Sequence, residues 1–167
     1  MIKGFITTLG KYNEGVLVGE WITFPIDEED LKAVLERIGI NEEYEEAFFT
    51  DWESDIDCGF GECENIEHIN ELAERLEEIE SSYEIDKLEA IIEATGCDLE
   101  QAMEEMDDAI FYPGYTLEEV AEEIVNDCYF TKDTPDILTR YFDYEAFARD
   151  LSFDGYTETA SGVICLY

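Results

Sequence analysis

The chain has 167 residues, 46% apolar and 13% aromatic, and carries 45 acidic against nine basic residues for a formal charge of −36. That apolar content excludes a disordered acidic tail. That charge excludes nucleic acid and anionic membranes as partners and points to cations or basic protein surfaces.

Residues 2–9, IKGFITTL, and 16–24, VLVGEWITF, read as strands joined by the polar turn KYNEG, and Pro25 closes the second. Asp27 caps a helix over 28–38, with Leu31, Val34, Leu35 and Ile38 on one face and Gly39 as its stop. EEYEEAFFTDWESDID, 42–57, holds eight carboxylates and no Lys or Arg, yet also Tyr44, Phe48, Phe49 and Trp52. It reads as a third strand over about 44–53 with aromatics on both faces. From Asn65, Ile66, Ile69, Leu72, Ala73, Leu76 and Ile79 recur at helical spacing. A second helix takes Ile85, Leu88, Ile91 and Ile92 and stops at Gly96; a third, capped by Asp98, takes Leu99, Ala102, Met103 and Met106. Three short amphipathic helices with short links predict a small bundle.

AIFY, 109–112, is a short strand before a PGY turn. Thr116 and Glu119 form a capping box opening a helix on Leu117, Val120, Ala121, Ile124 and Val125. Thr134 and Pro135 start a brief helix, and Asp143 starts another through Tyr144, Phe147 and Leu151. YTETA and VICLY close as a hairpin about a Ser-Gly turn. The expected class is α+β, an elongated chain of three lobes. A three-stranded sheet with one helix takes 1–61, a helical lobe 62–108, and a mixed helix and antiparallel-sheet lobe 109–167.

The charge is uneven. Residues 38–74 hold thirteen acids and no Lys or Arg, and 88–131 hold thirteen more and none. Lys at i+4 from Glu, the usual neutralising device on exposed helices, is nearly absent. The acids fall in four sets. Glu42, Glu43, Glu45, Glu46, Asp51, Glu53, Asp55 and Asp57 lie on and around the third strand. Glu67, Glu71, Glu74, Glu77 and Glu78 lie on the first middle helix, and Glu100, Glu104, Glu105, Asp107 and Asp108 on or after the third. Glu118, Glu119, Glu122 and Glu123 lie on the capping-box helix.

Other chemistries lack their parts. Cys58, Cys63 and His68 sit at the loose edge of zinc-ligand spacing without a clear fourth ligand. Asp51, Glu53, Asp55, Asp57 and Glu62 match a twelve-residue calcium loop, but Ile56 stands where the sharp turn needs Gly. There is no G-x-S-x-G, no P-loop, no G-x-G-x-x-G and a single His, so no catalytic, metal or cofactor residue is assigned. Five scattered cysteines and no apolar leader lead to the expectation of a cytoplasmic protein with reduced thiols.

Aromatics interleaved with one-signed charge is the footprint of a nucleic-acid binder with the sign reversed. At one charge per ~1.7 Å of duplex, 36 charges correspond to roughly 60 Å of DNA. Carboxylates held by a stiff aromatic framework could stand where phosphates stand and fill a DNA-binding groove. An acidic inhibitor or chaperone of basic DNA-binding proteins in general is the alternative.

LGKYNEGVLVGEWITFPID, 9–27, resembles the N-terminal signature of the ArdA antirestriction proteins, and YFDYEAFARDL, 141–151, resembles their C-terminal signature. Residues 54–110 agree only in charge and helical rhythm. The resemblance implies a DNA mimic, typically encoded on mobile elements or phages. Its expected partner is a type I restriction–modification enzyme, bound at the methyltransferase core with its DNA-specificity subunit. It also implies a curved, three-lobed fold that dimerises through the C-terminal lobe. Tyr141, Phe142, Tyr144, Phe147 and Leu151 would then sit in or beside the dimer contact, or else form that lobe's core. Gly15 and Gly19 would serve backbone geometry.

Overall fold

The computed structural model describes residues 1–79 and 81–166, so Tyr167, the last residue of VICLY, lies outside the described residues. The fold is α+β, with two three-stranded antiparallel sheets. Contacts divide the chain into two compact units, Met1–Glu80 and Ser81–Tyr167.

In the first unit, β1 (Ile2–Thr8) is the central strand, flanked by β2 (Gly19–Phe24) and β3 (Ala47–Ser54). Ile2, Ile6, Ile22 and Phe24 are buried on one face, where α2 (Glu28–Ile38) packs through Val34 and Ile38. Asp27 accepts from the Asp30 amide, and Gly39 ends the helix in the left-handed region at φ 89°, where a Cβ would be strained. Two buried threonines find backbone acceptors: Thr8 Oγ1 donates to Ile38 O (2.9 Å) and Thr7 Oγ1 to Val18 O (2.6 Å). α3 (Ile66–Glu77), capped by Asn65, joins this unit through Asn70, whose side chain exchanges two 2.8 Å bonds with the backbone of Ile26.

Two details differ from the expected pattern. KYNEG is not a hairpin turn: Leu9–Asn13 form a one-turn helix, α1, and the second strand begins only at Gly19. The helix lets Tyr12 meet Phe48 edge-on at 5.2 Å, a ring contact that a bare turn would forgo. The aromatics of β3 are also distributed differently. A bulge opposite Phe5 and Ile6 leaves Thr50 unmatched, with Phe5 facing Asp51 and Ile6 facing Phe49. The extra residue brings Phe49 and Trp52, three apart, onto one face with centroids 4.3 Å apart. Phe24 and Phe60 complete that cluster. Phe48 faces the other way, beside Thr7.

In the second unit, β6 (Gly162–Cys165) is buried throughout and lies between β4 (Ile110–Pro113) and β5 (Tyr156–Thr159). α4 (Ser82–Thr95) packs on this sheet and on α5 (Leu99–Glu105). Glu93 accepts the Ala160 amide (2.9 Å), and Ser161 Oγ donates to Asp86 O (3.1 Å), fixing the hairpin against α4. α6 (Leu117–Ile124) carries the expected capping box and continues into a π-helical turn, Val125–Tyr129. After the short α7 (Asp136–Arg140), α8 (Tyr144–Leu151) packs on α6. Val120, Ala121, Ala148, Leu151 and Val163 form the buried cluster between them.

Candidate acidic interaction surface

Each amphipathic helix spends its apolar face on a core and presents carboxylates on the other. On α3, Ile69, Leu72 and Ala73 are buried, and Glu67, Glu71, Glu74 and Glu78 follow at intervals of four, three and four residues, all exposed. Glu77, also exposed, lies to one side of that stripe. With a rise of 1.5 Å per residue the four charges cover about 16 Å, roughly one per 5.5 Å. One DNA strand carries a phosphate about every 3.4 Å of axis. A single stripe is therefore sparser than a phosphate line, and several must act together.

On α6, Val120 and Ala121 are buried, while Glu118, Glu119, Glu122 and Glu123 are exposed on the opposite side. Along α5, Leu99 and Ala102 are buried and Glu100 and Glu104 exposed; Asp107 and Asp108, exposed, follow the helix. Glu105 is only half-exposed and accepts from Gln101 Nε2 (3.1 Å). β3 is an edge strand, and Asp51 and Glu53 alternate with Trp52 along it, which also discourages another strand from pairing there. Asp55 and Asp57 follow, exposed, beyond the strand.

The loop before β3 is ordered despite its charge. Asn41 Oδ1 accepts the amides of Glu43 (2.8 Å) and Tyr44 (3.2 Å), and the Tyr44 ring covers Gly10. The Tyr44 hydroxyl donates to Glu14 (3.1 Å), which pushes its pKa up. Lys11 Nζ donates to Ile38 O (3.0 Å) and lies 5.8 Å from the Tyr44 ring centroid. Glu42, Glu43, Glu45 and Glu46 all remain exposed on this anchored loop.

Few of these charges are neutralised internally. Among the described residues the ion pairs are three: the Met1 ammonium with Asp55, Lys3 with Glu53, and Arg37 with Glu20. Hydrogen bonding to the ammonium lowers the Asp55 pKa, and the two-bonded Arg37 fork (2.7 and 2.9 Å) lowers that of Glu20. Glu119 is lowered by bonds from the Thr116 backbone and hydroxyl. Some acids thus serve the fold: Glu119 as a cap, Glu158 accepting the Leu117 amide at the start of α6, and Glu93 on the hairpin.

The chain matches the family described as antirestriction protein (ArdA) over residues 4–165. It belongs to the ArdA antirestriction family. No curated protein matches it in sequence. The ArdA match spans both units and the acidic middle, where the resemblance read from the sequence motifs was weakest.

The five cysteines are free thiols; Cys58 is buried, which raises its pKa, and Cys63 is exposed. Among the described residues no group of three or more His, Cys, Asp or Glu side chains is arranged to hold a metal ion, and no helix is long and apolar enough to cross a membrane. The five aromatic and aliphatic residues assigned to a dimer contact have different surroundings. Leu151 is buried with Val120 and Ala148; Phe147 packs against that cluster and, with Phe142 and Tyr144, forms a ring assembly joined by Phe130. Tyr141 is 76% exposed. Ile137, Leu138, Tyr129 and Phe153, not among those five, are also exposed in the second unit, and Val16 and Leu17, expected within the second strand, are exposed on the loop before it.

Proposed function

We propose that this member of the ArdA family is an acidic mimic of B-form DNA that occupies the DNA-binding groove of type I restriction–modification enzymes, blocking restriction and modification together. It acts by occupation, without catalysis and without a cofactor, in the cytoplasm where its target works. The observation that carries the reading is the exposure of carboxylates on the solvent faces of β3, α3, α5 and α6, on ordered backbone, with few internal cations. Lys and Arg in the groove would meet them as they meet phosphates, steering association and carrying little sequence information.

The reading calls for two copies to join through the C-terminal lobe, 109–167, and so lengthen the charged track. Tyr141, exposed, with Phe142, Tyr144 and Phe147 in the same stretch of chain, supplies the apolar surface for that contact. Lys132, Arg140 and Arg149, three of the nine basic residues, lie in the same stretch of chain, where two acidic copies would otherwise repel. The deciding experiment titrates the purified protein against a type I methyltransferase core in the presence of a competing DNA duplex. Mutual exclusion is expected; simultaneous, independent binding of DNA and protein would overturn the reading. Inhibition of unrelated basic DNA-binding proteins with equal affinity would favour a general acidic inhibitor instead.

A further inference from the structure

The face of the first sheet opposite α2 carries an apolar strip that a purely phosphate-like surface would not need. Its continuity follows from the strand register. Tyr12 packs on Phe48, Phe48 lies beside Thr7, Thr7 faces Gly19, and the Phe5 ring lies over Gly19. Phe5 then meets Trp21 edge-on at 5.5 Å. The loop leading into β2 adds Val16 and Leu17, the latter 83% exposed, and Trp21 is 40% exposed. This loop is held in place, since the Val16 amide donates to Lys11 O (2.9 Å) and Thr7 Oγ1 bonds Val18 O. An apolar strip carried on ordered backbone and rimmed by acidic residues is the kind of surface that marks an interaction site.

The surrounding charge decides what that partner is. Glu14 and the Arg37-paired Glu20 bracket the loop, and the Glu42–Glu46 segment, with four exposed carboxylates, is tied beside it by the Tyr44–Glu14 bond. A second copy would bring the same acids against this rim, which disfavours self-pairing here.

Resting on the proposed groove occupation, we infer that Leu17, with Val16 and Trp21, is an apolar anchor that enters a hollow in the protein wall flanking the basic groove of the partner. The carboxylates supply the salt-sensitive part of the affinity and the anchor a part that salt does not screen.

The test measures binding of the full chain and a Val16→Ser/Leu17→Ser variant to the type I methyltransferase core across a salt series. Trp21→Thr is a second variant, and circular dichroism and melting verify each fold. Removing apolar groups but no charge should lower affinity tenfold or more at every salt concentration, leaving the slope of log affinity against log salt unchanged. Lines that superimpose on the unsubstituted protein, or a changed slope, overturn the anchor while leaving groove occupation standing. Failure of the unsubstituted protein to bind would remove both. Sedimentation of the same variants settles the remaining occupant: loss of self-association in Val16→Ser/Leu17→Ser would mean that a second copy covers the loop, and the inference fails.

Discussion

Gly4 on β1 shows how closely the first unit is packed around its aromatic cluster. A Cβ at this position would come within 2.7 Å of the Trp52 ring and 2.8 Å of Phe49. Gly4→Val is therefore expected to destabilise the protein by about 1–3 kcal/mol, read from urea unfolding, because neither ring can retreat without disturbing the other. The Glu20–Arg37 pair gives a residue-scale prediction in pH. Hydrogen bonding to Arg37 lowers the Glu20 pKa in the folded state. The pair's contribution is thus present above the ordinary Glu value of about 4.3 and lost as pH falls through the lower folded-state value. In Arg37→Gln, Glu20 should titrate nearer the ordinary value, which carboxyl NMR would show directly. An unchanged Glu20 titration would contradict the assignment of the shift to the guanidinium.

At the scale of elements, the helices divide into those held by local caps and those that display charge, and α3 and α6 do both. Thr116→Ala removes the hydroxyl half of the α6 capping box and should cost about 0.5–2 kcal/mol in thermal or chemical unfolding. On α3, any single change among Glu67, Glu71, Glu74 and Glu78 to Gln should alter enzyme inhibition by less than about fivefold. The quadruple change should weaken inhibition far more, and at the same time raise the melting temperature because like charges at i, i+4 repel. Equal inhibition by the quadruple variant would remove α3 from the contact face. These caps and stripes were legible in the sequence because their chemistry is local: Asp27, Asn65, Asp98, Thr116 and Asp143 each cap within three residues of themselves. What could not be read depends on partners distant in sequence. The unmatched Thr50, which turns Trp52 toward Phe49, exists only relative to β1. The pairing of β4 with β6 brings together strands separated by three helices. Leu151 and Tyr141, both apolar and both in the C-terminal signature, differ in burial because α6 covers one and not the other, and periodicity cannot supply that neighbour.

For the whole molecule, a formal charge of −36 makes salt act in two opposite directions. Screening relieves self-repulsion, so melting temperature should climb between low salt and about 0.5 M, where the Debye length falls to a few ångströms. Over the same range affinity for a basic partner should drop steeply. A melting temperature that falls as salt is added would show that ion pairs, not repulsion, dominate the native state. Met1 pairs with Asp55, Lys3 with Glu53 and Arg37 with Glu20, all in the first unit, and among the described residues from Ser81 onward there are none. Sodium or potassium from the medium must then accompany the carboxylates of α5 and α6 as a loose cloud. On the proposed occupation of a basic groove those ions would return to bulk, so a calorimeter should record little heat and association driven by the entropy of freed cations. The more carboxylates the proposed contact covers, the more cations it would release.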